Sequence, residues 1–198
     1  MKIIGISCSP RPDKATHFAI TSCLETIRLE FPHIDTDLLN LAGLKILGCI
    51  DCGHCTNKLE CILEDDFLDA AMTIADPKVI GIIIASPVYF GNMSSQAKAF
   101  LDRCVMLRRN GVLLKNKVGG AIAVGGFRNG GQETTIQSIH AAMLIQEMVV
   151  VGDGNNTFHF GGTIWSGNPE GYKNDLAGFN TVKNLARRVT EIAIKIHQ

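Results

Sequence analysis

The most strand-like run of this chain is Val79-Ile80-Gly81-Ile82-Ile83-Ile84-Ala85. The run is rich in β-branched residues and carries no charge. An uncharged apolar run of this length, with no alternation of polar residues, is typical of a parallel strand that is buried on both faces of a sheet. We therefore take it as the central strand, and we expect the segments on either side to supply its neighbours.

Short apolar runs alternate with helix-like segments along the chain. Further strands are predicted at residues 2–6, 34–39, 118–124 and 148–151, helices at 16–31, 67–75, 95–108, 132–147 and 176–197, and a long loop at 152–172. Asp66 is expected to cap the helix at 67–75, with Asp69 completing a weak capping box. Strands that alternate with helices through right-handed crossovers predict an α/β fold, a doubly wound five-stranded parallel sheet with helices on both faces.

The composition argues against several classes of protein. Nineteen basic residues balance nineteen acidic ones, so no basic face indicates a nucleic-acid partner. The longest apolar run is far too short to span a bilayer, and the N-terminal strand reaches polar Ser7 too early for a signal peptide. We expect a single domain over residues 1–198, in the cytoplasm and with no membrane partner.

Four cysteines fall within one short segment, at about residues 47–66, with the spacing C-x2-C-x2-C-x5-C. Cys49, Cys52, Cys55 and Cys61 are candidate metal ligands, because two-residue gaps let consecutive thiolates converge on one polynuclear centre. The pattern favours a [4Fe–4S] cluster. Structural zinc, which usually takes two separated pairs of ligands, and a metal-free loop are the alternatives. Disulfides are disfavoured, since nothing in the chain indicates an oxidising compartment.

The loop after the first strand, residues 7–16, has the parts of a phosphate site. Ligands of doubly wound sheets bind at the carboxyl ends of the strands, where the strand order reverses. The loop lacks G-x-G-x-x-G and G-K-[ST], so a Rossmann dinucleotide site and a P-loop are both disfavoured. It carries the hydroxyls of Ser7, Ser9 and Thr16, the cation of Arg11 and the start of a helix, which together can cradle a phosphate. Thr16 as a plain helix N-cap is the alternative.

The loops after the third and fourth strands suit a flat ligand. In the loop at 86–94, Tyr89 and Phe90 are adjacent and cannot both point into the core, so one of them is available to lie beside a ring. The loop at 125–131 contains four glycines, which leave its backbone accessible to a planar group. Ordinary loop packing is the alternative in both places. A phosphate cradle beside two such loops describes a mononucleotide with a flat head, and FMN fits.

Short motifs along residues 5–134 match a known family in their order. They are Ser9-Pro10-Arg11 with Thr16, the cysteine segment followed by Asp65-Asp66, Ser86-Pro87-Val88-Tyr89-Phe90, Leu101-Asp102-Arg103 and Gly130-Gly131-Gln132-Glu133-Thr134. On these motifs the chain resembles the NADPH-dependent FMN reductase branch of the flavodoxin-like fold, and within it the iron–sulfur flavoproteins. One departure is Lys14-Ala15, where relatives often carry Gly-Asn.

The resemblance implies FMN and a [4Fe–4S] cluster as cofactors, the cluster on the four cysteines of the 47–66 segment. The FMN-binding residues that it implies are Ser9, Arg11, Thr16, His17, Pro87, Val88, Tyr89, Phe90, Gly91, Asn92, Gly126, Arg128, Gly131 and Gln132. In iron–sulfur flavoproteins the cluster of one subunit faces the FMN of a neighbour, so the resemblance also implies a homodimer or a homotetramer.

Together these features predict a flavin-dependent oxidoreductase. In this hypothesis electrons pass from a one-electron donor such as a ferredoxin to the cluster, then to FMN and on to a small-molecule acceptor. No side chain is assigned as a proton donor, and Tyr89, Arg128 and His159 are candidates to tune the flavin. The alternative is a cluster-free NAD(P)H-dependent FMN or quinone reductase that uses the same flavin site.

Overall fold

A computed structural model describes residues 1–198 and shows a parallel sheet, with strands of unequal length, covered by helices on both faces. The strands are β1 Lys2–Ser7, β2 Asp35–Asn40, β3 Val79–Pro87, β4 Val118–Gly125, β5 Val149–Val150 and β6 Gly162–Trp165. Their order is β2-β1-β3-β4-β5, with β6 also paired to β4, and every pairing is parallel. The strand order reverses between β1 and β3, as in a doubly wound sheet. The predicted fold class is confirmed.

The opening apolar run forms β3, the central strand, and all of its residues are buried. Its side chains alternate between the two faces of the sheet, as a strand requires. Ile82 and Ile84 belong to the core on one face, whereas Ile80 and Ile83 belong to the core on the other. Each fully buried isoleucine contributes about 1.5–3 kcal/mol relative to an exposed one. The lack of polar alternation in the sequence therefore reflects burial on both faces.

The helices fall into two layers. They are α1 Ala15–Glu30, α2 Phe67–Ala75, α3 Ser95–Arg103, α4 Val105–Arg109, α5 Gln132–Ile145 and α6 Leu176–His197, with a short 3-10 helix at Tyr172–Asn174 before α6. Side chains of α1 and α6 fill one core, and side chains of α2, α3, α4 and α5 fill the other. The sequence predicts one helix over 95–108, and this prediction is wrong at Cys104. There ψ is −5°, and the residue separates α3 from α4.

The last position of the sheet is built from two short strands. The sequence predicts a strand at 148–151, but β5 contains only two residues, beside Val118 and Gly119 of β4. The chain then leaves the sheet and returns as β6, beside Ile122–Gly125 of the same strand. The prediction that residues 152–172 contain no strand is therefore wrong. No helix of the structure is long and apolar enough to cross a membrane.

Candidate functional site

Two buried serines mark the carboxyl end of β1: Ser7 is its last residue, and Ser9 lies in the loop that follows. Ser9 Oγ accepts a hydrogen bond from the N–H of Arg11 at 3.1 Å and donates to the carbonyl of Arg11 at 3.0 Å, which folds the loop into a tight turn. Ser7 Oγ is buried and has no hydrogen-bond partner within the protein. A buried hydroxyl without a partner costs free energy unless a ligand or water satisfies it. This orphaned hydroxyl fits a site that receives a polar ligand.

The start of α1 is open. Lys14 occupies the N-cap position and its side chain makes no capping hydrogen bond. Thr16 is buried within the first turn, so the alternative that it merely caps the helix is wrong. Arg11 and Lys14 are exposed beside this turn. Uncapped N–H groups carry partial positive charge and bind anions, so the loop and the helix start fit a phosphate group.

The loop after β3 makes a strained turn that exposes an aromatic side chain. Tyr89 and Asn92 exchange backbone hydrogen bonds of 2.8 and 3.1 Å. Between them, φ is +49° at Phe90 and +71° at Gly91. A left-handed conformation costs a residue with a Cβ about 1–2 kcal/mol, and the Phe90 side chain is nonetheless fully exposed. Strain of this kind at an exposed aromatic residue is typical of a binding loop.

The three loops at the carboxyl edge are joined by hydrogen bonds. Ser94 Oγ donates to the carbonyl of Cys8 at 2.7 Å and links the second loop to the first. Thr134 Oγ1 donates to the carbonyl of Gly91 at 2.7 Å and links the third loop to the second. Gly131 has a φ of +94° and packs against Gly91. A Cβ on Gly131 would lie only 3.0 Å from the Cα of Gly91. The structure thus brings together the three segments that the sequence singled out.

Gln132 and Arg128 of the third loop are engaged within the protein. Gln132 is buried, and its side chain donates to the carbonyl of Phe127 at 2.5 Å and accepts from the N–H of Gly130 at 2.8 Å. Arg128 forms an ion pair with buried Asp175, the N-cap residue of α6. Gln132 therefore shapes the loop, and Arg128 ties it to α6. Asp175 could not be predicted from the sequence, because no local pattern marks its pairing with Arg128.

A polar cavity of about 470 Å³ lies next to the third loop. It is lined by side chains that include Arg128, Gln132 and Thr134. His159 also lines it, and its Nδ1 lies 3.3 Å from a carboxylate oxygen of Asp153, whose side chain is fully buried. The cavity therefore joins three residues predicted to contact the flavin, Arg128, Gly131 and Gln132, to the candidate tuning residue His159.

The cysteine segment is a loop that is closed at its base by two aspartates. Asp66 accepts a hydrogen bond from the N–H of Lys45 at 2.7 Å, and Asp65 accepts one from the N–H of Leu47 at 2.8 Å. Asp65 also accepts from the N–H of Phe67 at 3.1 Å, the first residue of α2. The prediction that the Asp66 side chain caps α2 is therefore wrong, because its carboxylate closes the loop instead.

The four cysteines of this loop line one small cavity together with Arg103 and Arg109. Cys49 and Cys52 are exposed, and Cys55 and Cys61 are half-buried. No three side chains of the types that bind metals converge into a site for a single ion. Four thiols of one loop that line one cavity are a donor set that an iron–sulfur cluster can use.

Cations and amides from α4 border the cysteine cavity. Arg109 donates to Sγ of Cys55 at 3.4 Å. The side chain of Asn110 donates to the carbonyls of Cys55 at 3.0 Å and Lys58 at 2.9 Å. Sequence reasoning missed these roles, although the basic pair Arg108-Arg109 at the end of a predicted helix was a usable signal.

The other three cysteines are core residues. Burial raises the pKa of Cys8 and Cys23 well above the usual range of a thiol, and it raises the pKa of Cys104 to about 12. All three thiols therefore stay protonated and unreactive at physiological pH. The sulfur chemistry available to ligands lies in the 47–66 segment.

The fold is that of a flavodoxin-like α/β protein, and its three candidate binding loops meet at the carboxyl ends of the strands. The family model for NADPH-dependent FMN reductases matches residues 1–163. The chain is 45% identical to an iron–sulfur flavoprotein of Methanocaldococcus jannaschii over 192 residues, which are 97% of each chain. It is 43% identical to an iron–sulfur flavoprotein of Methanosarcina thermophila over 194 residues, covering 97% of this chain and 95% of that protein.

A solved structure agrees on the fold. The flavodoxin, WrbA-like protein from Agrobacterium tumefaciens superposes with a TM-score of 0.64 at 16% identity, covering 98% of this chain and 97% of that one. The chain belongs to the NADPH-dependent FMN reductase family, and within it to the group of the iron–sulfur flavoproteins. It is a flavin-dependent oxidoreductase.

Proposed function

We propose that the protein carries electrons between a one-electron donor of the ferredoxin class and a small-molecule acceptor, with FMN and a [4Fe–4S] cluster as its two redox groups. The observation that carries this proposal is the cavity in which four thiols of one loop meet two arginines. The names of the relatives that match nearly the whole chain support the same interpretation.

In this proposal the first loop holds the FMN phosphate. The residues that would hold it lie at the open start of α1 and are Ser9, Arg11, Thr16 and His17. The N–H groups there and the hydroxyl of Thr16 would supply donors, Arg11 would supply charge, and Ser9 shapes the loop. The orphaned hydroxyl of Ser7 at the end of β1 supports a polar ligand there.

The second and third loops hold the FMN ring. Residues 87–92 supply two exposed aromatic side chains, Tyr89 and Phe90, and a turn that stays rigid through its paired backbone. Gly126 and Gly131 leave the backbone of the third loop open, and the side chain of Gln132 holds that loop in shape. When bound, FMN exchanges electrons singly or in pairs, and an iron–sulfur cluster exchanges them singly.

The four cysteines hold the cluster in this proposal. Cys55 and Cys61 supply thiolates on the half-buried side of the cavity, and Cys49 and Cys52 supply them on the exposed side. Exposure of half of the ligand set leaves the bound group open to a partner protein that delivers electrons. The chain itself keeps the loop closed through its two basal aspartates.

We also propose that the protein works as a homodimer or homotetramer. Within one subunit the two redox sites lie at opposite ends of α3. The loop at 86–94 precedes this helix, and the cysteine cavity borders its last residue, Arg103. The nine residues of α3 alone span roughly 13 Å. Apolar side chains are exposed at both places, among them Phe90 and Phe127 at the flavin loops and Ile50 and Ile62 at the cysteine loop. A second subunit would cover such side chains and can shorten the path between the two redox groups.

The proposal is tested by purifying the protein without oxygen and measuring FMN, iron, acid-labile sulfide and zinc per chain. We expect FMN together with about four iron and about four sulfide atoms. Cys52→Ala should lose iron and sulfide and keep FMN. Cys23→Ala, which changes a thiol buried in α1, should keep all of them and is the matched control. Wild-type protein with FMN but no sulfide would refute the cluster.

The second candidate is a cluster-free NAD(P)H-dependent FMN or quinone reductase. The description of the matching family model favours it, since that family is named for NADPH-dependent reduction of FMN. Stopped-flow reduction distinguishes the two. Rapid bleaching of the flavin by NADPH, at a rate that Cys52→Ala leaves unchanged, would establish this alternative. Reduction by a reduced ferredoxin that Cys52→Ala abolishes would support the first proposal.

A further inference from the structure

We infer that Arg103 and Arg109 set the reduction potential of the group held by the four cysteines, Arg109 through its contact with one ligand sulfur and Arg103 through its buried guanidinium beside the same cavity. The inference rests on the proposed function, because it assigns a role toward the cluster of that proposal. In this role the two arginines are positioning residues that act on the cluster through its ligands.

Arg103 is a buried cation fixed on several sides. Its side chain is 2% exposed, forms an ion pair with Asp65 and lies 4.3 Å from the ring centre of Phe67. It also donates to the carbonyls of Leu47 and Leu63, each at 3.4 Å, on the two flanks of the cysteine loop. With so many partners, the guanidinium has one fixed position relative to the loop.

One donor of Arg103 remains free. Its Nε is buried and has no hydrogen-bond partner that meets ordinary geometry. Cys61 lines the same cavity as Arg103. The spare donor therefore belongs to a buried cation that borders the cavity lined by Cys61, and a charge-assisted bond to a thiolate there is stronger than a neutral one.

Arg109 makes the second contact from the end of α4. Its Nη1 lies 3.4 Å from Sγ of Cys55, and its Nη2 lies 3.4 Å from a carboxylate oxygen of Asp51. Asn110, the next residue, donates to the carbonyl of Cys55 at 3.0 Å. Cys55 is therefore held through both its backbone and its sulfur.

The arginines divide the ligand set into two unlike pairs. Cys55 and Cys61 are half-buried in the cavity that Arg103 and Arg109 line, and Arg109 contacts the sulfur of Cys55, whereas Cys49 and Cys52 are exposed. A cluster with four thiolate ligands is anionic, and reduction adds one more negative charge. Donors and cations at the sulfurs stabilise the reduced form more than the oxidised form, and this raises the reduction potential.

The two arginines are expected to act differently. The charge of Arg103 is largely balanced by Asp65, so Arg103 acts mainly through the buried donor that borders the cysteine cavity. The side chain of Arg109 is 32% exposed, and its partner Asp51 is 88% exposed. The influence of Arg109 should therefore weaken as salt screens its charge, whereas that of Arg103 should not.

The test is a redox titration of the anaerobically purified holoprotein, followed by the spin signal of the reduced cluster. Arg109→Gln should lower the midpoint potential enough to change the ratio of reduced to oxidised cluster at least threefold, or about 30 mV at about 59 mV per tenfold. Arg109→Lys, which keeps the charge, should shift it less. Arg108→Gln is the matched control, because Arg108 is exposed and donates to the carbonyl of Ile145.

The outcomes separate this inference from the proposed function. Wild-type protein without sulfide would refute the proposed function before any variant is compared. If the wild-type protein holds a cluster and the Arg109→Gln variant has the same midpoint potential, the inference is overturned and the proposed function stays in place. Arg103→Gln extends the test, with a downward shift expected at both low and high salt. If that variant fails to fold, the Arg109 series decides.

Discussion

Removing the carboxylate of Asp65 is expected to lower the free energy of unfolding by about 3 kcal/mol. The side chains of the Asp65–Arg103 pair are 0% and 2% exposed. The Asp65→Asn variant leaves the guanidinium buried without a counter-charge, and loss of one partner from such a pair costs about 3–5 kcal/mol. We expect a loss at the lower end of this range because the neighbours Glu64 and Asp66 are exposed. Water can therefore reach the guanidinium of Arg103 when the loop adjusts to the substitution.

Urea unfolding of the wild-type and variant proteins measures this loss. The control is Asp102→Asn on the same helix as Arg103, which breaks the exposed Lys98–Asp102 pair and should cost less than about 1 kcal/mol. The double variant Asp65→Asn with Arg103→Met removes both charges together. It should lose clearly less stability than the sum of the two single variants, because neither charge is then left buried alone.

The effect also has a defined dependence on pH. Burial raises the pKa of Asp65, but hydrogen bonds from Arg103 and from the N–H groups of Leu47 and Phe67 outweigh burial and hold the pKa below its ordinary value of 3.8. The unfolded chain therefore binds the proton more tightly than the native state. The contribution of Asp65 is complete above pH 3.8 and is lost as the pH falls through the lowered pKa. A loss in Asp65→Asn no larger than in Asp102→Asn, or one that persists undiminished in acid, would refute the reasoning.

Two further predictions concern Gly131 in the third loop and Lys117 at the amino end of β4. Gly131→Ala should lower stability by at least about 1–2 kcal/mol, because φ is +94° and the new Cβ would meet Gly91 at 3.0 Å and Val88 at 3.2 Å. In the same urea assay Gly126→Ala, whose Cβ would meet nothing within 4 Å, should be close to neutral, and equal losses would contradict this account. Burial lowers the pKa of Lys117 from 10.5 to about 8. Between these two pH values the unfolded chain therefore binds more protons at Lys117 than the native state does. Deprotonation of Lys117 consequently raises the free energy of unfolding as the pH rises. The stability of wild type relative to Lys117→Met should therefore increase across that window, and a constant difference would show that Lys117 keeps its proton in the native state.

Much of the fold could be predicted from local patterns. The run that became β3 shows burial on both faces directly, because an uncharged β-branched strand has no solvent face. The boundaries of most helices follow from periodicity and from breakers such as Pro32 and Pro77. The strand β6 could not be predicted in this way. It has four residues in a segment rich in glycine and asparagine, and only pairing with β4 makes it a strand.

The candidate site shows the same division. The cysteine spacing and the three loops are local signals, and the structure brings each set together. Partners that are distant in sequence left no local signal. Asp175 engages Arg128 from the start of α6, and Arg103 reaches Asp65 across the cysteine loop. A sequence pattern identifies a charged residue, but the counter-charge that fixes its position comes from tertiary packing.

The closed base of the cysteine loop has a consequence for how such proteins can diversify. Since Lys45 and Leu47 are joined directly to Asp66 and Asp65, the two ends of the loop are held together whatever lies between them. The intervening stretch behaves as an exchangeable insert, and no strand of the sheet runs through it. A fold of this kind can gain, lose or resize its sulfur-rich segment by insertion or deletion at one point while the loops at the carboxyl ends of its strands stay unchanged.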